Sequence, residues 1–211
     1  MIPLADDDSS SKITPLVTYS LIAINVLVFL LELSNGDAFI IKWAFIPSRF
    51  LANPPLFSVT LLTSMFMHAG WLHLGGNMLY LWVFGNNVED RFGHLPFLLF
   101  YLVCGVGATF TQMVFSFSSD IPNLGASGAI AGVLGAYILM FPWRRVTVLL
   151  VRFVTQLPAW VVLGFWFVLQ FFNGVGSFAF SSDMGGVAYL AHIGGFAVGL
   201  VLAAFLRNTN H

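Results

Sequence analysis

Four side chains suited to acid–base or nucleophilic work stand in a largely apolar chain: His73 and Asn77 in "HLGGN", Ser127 in "GASGA" and His192 in "AHIGG". A serine hydroxyl is a weak nucleophile until a base takes its proton, and a neutral imidazole suits that task near pH 7. Each residue also has a plainer reading. A serine in a membrane helix most often bonds back to its own helix or to a neighbour. A lone intramembrane histidine is more often a core residue or an axial haem ligand, although ionisable groups at such depth are costly to insert and are functional candidates by default. His73 and Asn77 could tie their helix to the preceding loop, and His68 reads as a group that holds that loop in place. "GASGA" is not the Gly-x-Ser-x-Gly elbow of soluble hydrolases, since both the spacing and a preceding strand are missing.

The elements that position these residues are membrane helices. Of 211 residues 58% are hydrophobic and 8% charged, with mean hydropathy +0.89, whereas soluble domains carry roughly a quarter charged residues. The expected fold is an all-α membrane protein of one domain, residues 1–211. A net charge of −1 offers no basic face for nucleic acid. Cys104 lies alone in an apolar run, where packing is favoured over reactivity. A bilayer core of roughly 30 Å needs about 20 apolar residues per helix. Six segments qualify: 15–33, 70–88, 96–117, 124–141, 158–172 and 186–206. Prolines 15, 96 and 158 suit first turns, and "EDRFGH", with Glu89, Asp90 and Arg91, reads as a polar stop. The start, "MIPLADDDSSSK", lacks a basic leader region, so residues 1–14 are expected to be an uncleaved, short, disordered cytoplasmic tail. Residues 34–69 read as a partly embedded interfacial loop, its non-helical backbone covered by protein. Residues 143–153, "WRRVTVLLVRF", are basic and apolar and suit the inner headgroup region.

With a cytoplasmic N-terminus, Lys12, Arg91, Arg144, Arg145, Arg152 and Arg207 lie inside, and Lys42 and Arg49 outside. The excess of basic residues inside supports that orientation. Spans two, four and six then enter from the outer side, and His73, Asn77, Ser127 and His192 all fall in their first turns. At 1.5 Å per residue they share a layer roughly 3–12 Å below the outer boundary. Ser127, Gly128, Ala131, Gly132 and Gly135 leave one broad face of the fourth span bare, while His192, Gly195 and Gly199 form a stripe on the sixth. Small residues allow helices to approach closely in lipid. If these two faces meet, Ser127 and His192 come within reach of each other.

Taken together, the motifs resemble the rhomboid family of intramembrane serine proteases. The matching pieces are "HAGWLHLGGN" (His68, His73, Asn77), "GNNVEDRFG" (Gly85, Glu89, Gly93), "GASG" with Ser127 and "AHIGGFAVG" with His192. They occur in family order over nearly the whole chain. The resemblance implies a six-helix core with Ser127 as nucleophile and His192 as general base. It further implies that Asn77 and His73 line an oxyanion hole, assisted by the Ser127 backbone N–H. Transmembrane segments of single-span or other membrane proteins would be cut near the outer face. Two positions depart from the family pattern. The tyrosine often found four residues after the serine is Ala131 here, so another group must hold His192, and the first-loop Trp-Arg pair is absent because Trp43 and Arg49 are separated.

The competing expectation is a non-catalytic membrane binder. It would be a pseudoprotease holding client helices, which retention of Ser127 and His192 disfavours, or a bundle with His73 and His192 as haem ligands. A transporter is disfavoured because no repeat with paired broken helices is seen. No metal or other cofactor is expected, since His, Cys and carboxylates do not cluster as ligands. The expected location is a multi-pass protein of the plasma (inner) membrane, with both termini cytoplasmic and the site open to the extracytoplasmic side. The glycine- and serine-rich stretch 173–186, with the fifth span, is expected to move and admit substrate from the side.

Overall fold

A computed structural model describes residues 1–7, 11–179 and 188–206. Six long helices occur where the six apolar segments were counted: α1 (Leu16–Asn35), α6 (Trp71–Phe92), α7 (His94–Val114), α8 (Ser127–Met140), α9 (Ala159–Ala179) and α10 (Tyr189–Leu206). Among the described residues, α1, α7 and α10 are long and apolar enough to cross a membrane, whereas α8 is a shorter apolar helix of 14 residues. Pro15 and Pro158 immediately precede α1 and α9, where a missing N–H costs no helix bond. Gly93, at φ +83, makes the turn between α6 and α7.

α8 is the central rod, with every residue from Gly128 to Tyr137 buried. Its bare face is met by the backbone of α10. A Cβ added at Gly195 would fall on the Gly128 carbonyl oxygen, and one at Gly199 on that of Gly132. The glycine stripes of α8 and α10 therefore meet, as their spacing implied. On another side, Cys104 of α7 packs over Gly132, so the thiol serves as core.

The connection between α1 and α6 departs from the expected non-helical loop. It folds into α2 (Asp37–Trp43), α3 (Pro47–Ala52), α4 (Pro54–Phe57), α5 (Thr60–Thr63) and a 3-10 turn, Ser64–Phe66. Short helical turns satisfy much of their own backbone, and the Asn53 side chain adds a cap by accepting from Leu56 N–H. The last part is drawn inward: Met65, Met67 and His68 are buried, and Met65 occupies the space left by Gly105 on α7.

At the opposite end the N-terminal residues form a strand rather than a disordered tail. β1 (Ile2–Asp6) pairs antiparallel with β2 (Arg145–Leu150), which pairs with β3 (Phe153–Pro158). The chain is thus mostly helical rather than all-α. Within the basic and apolar segment 143–153, β2 has period two: Val146 and Val148 are buried while Arg145 is exposed. Asp6 closes the sheet onto the helices by accepting from Tyr137 Oη at 2.6 Å and Asn87 Nδ2 at 2.5 Å. Arg144 in turn donates to Asn87 Oδ1.

Glu89 is more than a polar stop. Fully buried, it accepts from Val17 N–H (2.8 Å), Thr18 N–H (2.7 Å) and the Thr18 hydroxyl (2.7 Å), and lies 2.6 Å from His94 Nδ1. Asp90 accepts from the Lys12 and Ile13 N–H groups. Glu89 thereby binds the first turn of α1, where exposed N–H groups and the helix dipole favour negative charge, and Asp90 holds the segment leading into it. Gly85, one turn before, lets Thr18 approach, since a Cβ there would come within 3.1 Å of that side chain. A Glu89→Ala variant orphans several buried donors and is expected to lose about 2–3 kcal/mol of stability. Thermal unfolding in detergent measures this, and an unchanged midpoint would refute the capping role.

Candidate active site

Ser127 opens α8, so its backbone lies among the N–H groups that have no partner inside the helix. The approach to it is fixed by two backbone ties to the first connection. Phe45 and Asn123 exchange N–H···O bonds of 3.1 and 2.7 Å, and Gly125 N–H donates to Ser64 O at 2.9 Å. Gly125 sits at φ +129, and a Cβ there would come 2.9 Å from His73 Cε1, so both the conformation and the space demand glycine.

His73 and Asn77 project from the first turns of α6, four residues apart on one face. Asn77 Nδ2 donates to His68 Nε2 at 2.9 Å, and His68 is held from behind by its backbone N–H, which donates to Glu32 Oε2 at 3.0 Å. His68 lies in the segment before α6, outside the long helices. Burial, followed by the nearby His73 imidazole, pushes its pKa down to about 4, so it is neutral when it accepts from Asn77. The His68 and His73 rings meet edge to face with centroids 5.1 Å apart. Ala69 N–H points at His73 Nδ1 over 3.4 Å, which leaves His73 Nε2 as the protonated nitrogen.

His192 lies in the first turn of α10 and is 9% exposed. Its Nδ1 is 2.8 Å from Oε1 of Gln170 on α9, and the Trp166 ring, one turn earlier on α9, lies over it at 5.8 Å and 36°. Tyr189 meets the imidazole edge-on at 6.5 Å. The neighbours missing at Ala131 are thus supplied by α9. Gln170, within "LGFWFVLQFF", is not among the residues that the sequence singles out. The available signal was one amide in an apolar helix, four residues after Trp166 and hence on the same face.

His73, Asn77, Ser127 and His192 line one cavity of about 400 Å³, with Gly105 and Thr109 of α7 in its wall. A second cavity of about 220 Å³ shares His73, Asn77 and Ser127 and extends between α6 and α9 to Tyr80 and Trp166. The structure therefore brings together all four residues singled out from the sequence, and sets His68 behind Asn77. His94 is not among them, being paired with Glu89. Of the segment 173–186, residues 173–179 continue α9, and 180–186 lie outside the described residues. A hydroxyl, an imidazole and polarised N–H groups around one cavity fit nucleophilic attack on a carbonyl with the oxyanion held by donors.

A family model described as the Rhomboid domain matches residues 58–209. The chain is 28% identical to Rhomboid protein 1, mitochondrial, of Saccharomyces cerevisiae over 197 residues, covering 90% of this chain and 53% of that one. It is 37% identical to Rhomboid protease GluP of Bacillus subtilis over 128 residues, 59% of this chain and 24% of that protein. Against Rhomboid-like protein 11, chloroplastic, of Arabidopsis thaliana, identity is 30% over 148 residues, covering 68% and 51%. The chain spans about half the length, or less, of these curated relatives.

Proposed function

The chain belongs to the rhomboid family, and from that membership we propose that it is an intramembrane serine endopeptidase that cuts transmembrane segments of other membrane proteins. A single observation carries the proposal: Ser127 and His192, from the starts of two glycine-packed helices, line one cavity. Ser127 Oγ attacks the scissile carbonyl while His192 Nε2 takes its proton. The tetrahedral intermediate collapses as His192 returns that proton to the leaving amine, and an acyl-enzyme remains. Water, deprotonated by His192, then attacks the acyl carbonyl, and His192 passes that proton to Ser127 Oγ as the new carboxyl end leaves. Asn77 Nδ2, whose second proton has no partner among the described residues, His73 Nε2–H and the Ser127 backbone N–H are the donors for the oxyanion.

Six crossings, with both termini on the basic-rich inner side, agree with the six long helices and the six-to-two division of basic residues. The 14 residues of α8 rise about 21 Å, less than a hydrocarbon core of roughly 30 Å. Its first residue therefore sits below the outer surface, at a depth water reaches only through the cavity. Relatives named for the mitochondrion and the chloroplast place family members in several membranes, so the proposal specifies sidedness rather than an organelle. Substrate enters between α6 and α9, where the second cavity runs. Because peptide groups in a helix are internally bonded, segments rich in helix-weakening residues are the preferred substrates.

A fluorophosphonate that reacts with activated serines is expected to label the purified protein at Ser127; equal labelling of Ser127→Ala would reject the assignment. An Asn77→Ala variant should remain folded and cleave on the order of 10²–10³ more slowly, the usual loss for one oxyanion donor. Steady-state cleavage of a tagged single-span protein measures it, and unchanged turnover removes Asn77 from the mechanism.

A further inference from the structure

A serine–histidine pair works only if the imidazole presents the correct nitrogen. The bond between His192 Nδ1 and Gln170 Oε1, 2.8 Å, bears directly on this. An amide oxygen only accepts, so Nδ1 carries the ring proton and Nε2 keeps the lone pair. Among the described residues, other neighbours do not compete for this role. On α8 the residues that share the cavity of His192 are Ser127, Gly128 and Ala129, of which Ser127 alone carries a polar side chain. On α7 the Gln112 amide oxygen faces the Ala191 N–H at 3.3 Å. His73 on α6 is itself an imidazole in the same cavity, and Tyr189 touches the ring edge-on.

We propose that Gln170 is a positioning residue that sets the tautomer and orientation of His192, where three-membered serine hydrolase sites use a carboxylate. This rests on the Ser127–His192 reading above. A neutral acceptor suits the place. His192 is nearly buried and no cation faces it among the described residues of α9, so a carboxylate here would bear an uncompensated desolvation cost. Trp166, one turn away on the same face, stops the ring from tilting once the bond is made. Sequence spacing then has a simple meaning: Trp166 and Gln170 form an i, i+4 pair that clasps one imidazole.

The test begins on the unaltered protein. A ¹⁵N-histidine spectrum of the full chain in detergent, with the His192 signal assigned by its loss in His192→Ala, should show the proton on Nδ1. A proton on Nε2 overturns the proposal without any further variant. Gln170→Leu should give a mixed tautomer and a turnover number about tenfold lower, the scale of one lost hydrogen bond, with KM unchanged. Gln170→Glu should recover the Nδ1–H tautomer and turnover only at pH high enough to ionise its carboxyl, because the buried acid form can donate to Nδ1 instead of accepting from it. Wild-type turnover in Gln170→Leu would defeat the assignment while leaving the dyad intact. Failure of the dyad itself looks different, because His192→Ala would then cleave like wild type.

Discussion

Replacing Ser127 with alanine is expected to lower cleavage of a single-span substrate by about 10⁴-fold or more, and His192→Ala by a similar factor. Both remove a member of one acting unit, so the double variant should be no slower than either single one. Neither change disturbs packing much. Ser127 is the first residue of α8, and an alanine keeps its Cβ; His192 lies at the cavity end of the α8–α10 seam with Nδ1 turned to Gln170 on α9. Thermal midpoints should therefore stay close to wild type while product formation vanishes, and that separation distinguishes catalytic loss from unfolding. Gel-based cleavage beside a thermal melt provides both readings. Persistent cleavage by Ser127→Ala would end the serine protease account and leave a rhomboid-family protein of another activity.

Introducing a β-branched side chain at Gly199 should be as damaging by a different route. Its added Cβ would coincide with the Gly132 carbonyl oxygen, which is backbone within a helix and cannot rotate aside. α8 and α10 must then move apart along the whole seam that carries Ser127 at one end and His192 on the facing helix. Gly199→Val is expected to lose about 3 kcal/mol or more of stability through overpacking, and its cleavage activity with it. Gly75→Ala is the matched control, because a Cβ on that exposed turn of α6 meets nothing within 4 Å. A Gly199→Val protein with wild-type melting and turnover would show that the glycine seam does not set the helix spacing.

The ties around Glu89 show how Gly85, Glu89 and Gly93 act as a unit. One glycine admits α1, the carboxylate binds its first turn, and the other glycine turns the chain into α7. None of this was legible in "GNNVEDRFG", where a polar stop is a sufficient account, since the partner donors on Val17 and Thr18 are remote in sequence. The same holds for β1. Strand pairing is non-local, and nothing near Ile2 announces that Leu149 will lie opposite it.

What the sequence determined by itself is the six long helices and the shared end of the bundle at which their polar groups meet. Helix rise and the 3.6-residue period convert residue numbers into height and face, so His73, Asn77, Ser127 and His192 were assigned to one layer before any contact was known. Tertiary structure decided what lies across each gap: His68 behind Asn77, Gln170 on His192, Asp6 on Tyr137. Those contacts depend on how each helix is rotated about its own axis and on which backbones come close enough to exclude side chains. Rotation and closeness are properties of the assembled seam, set by bulk such as Trp166 and by its absence at Gly195 and Gly199, and no single segment encodes them.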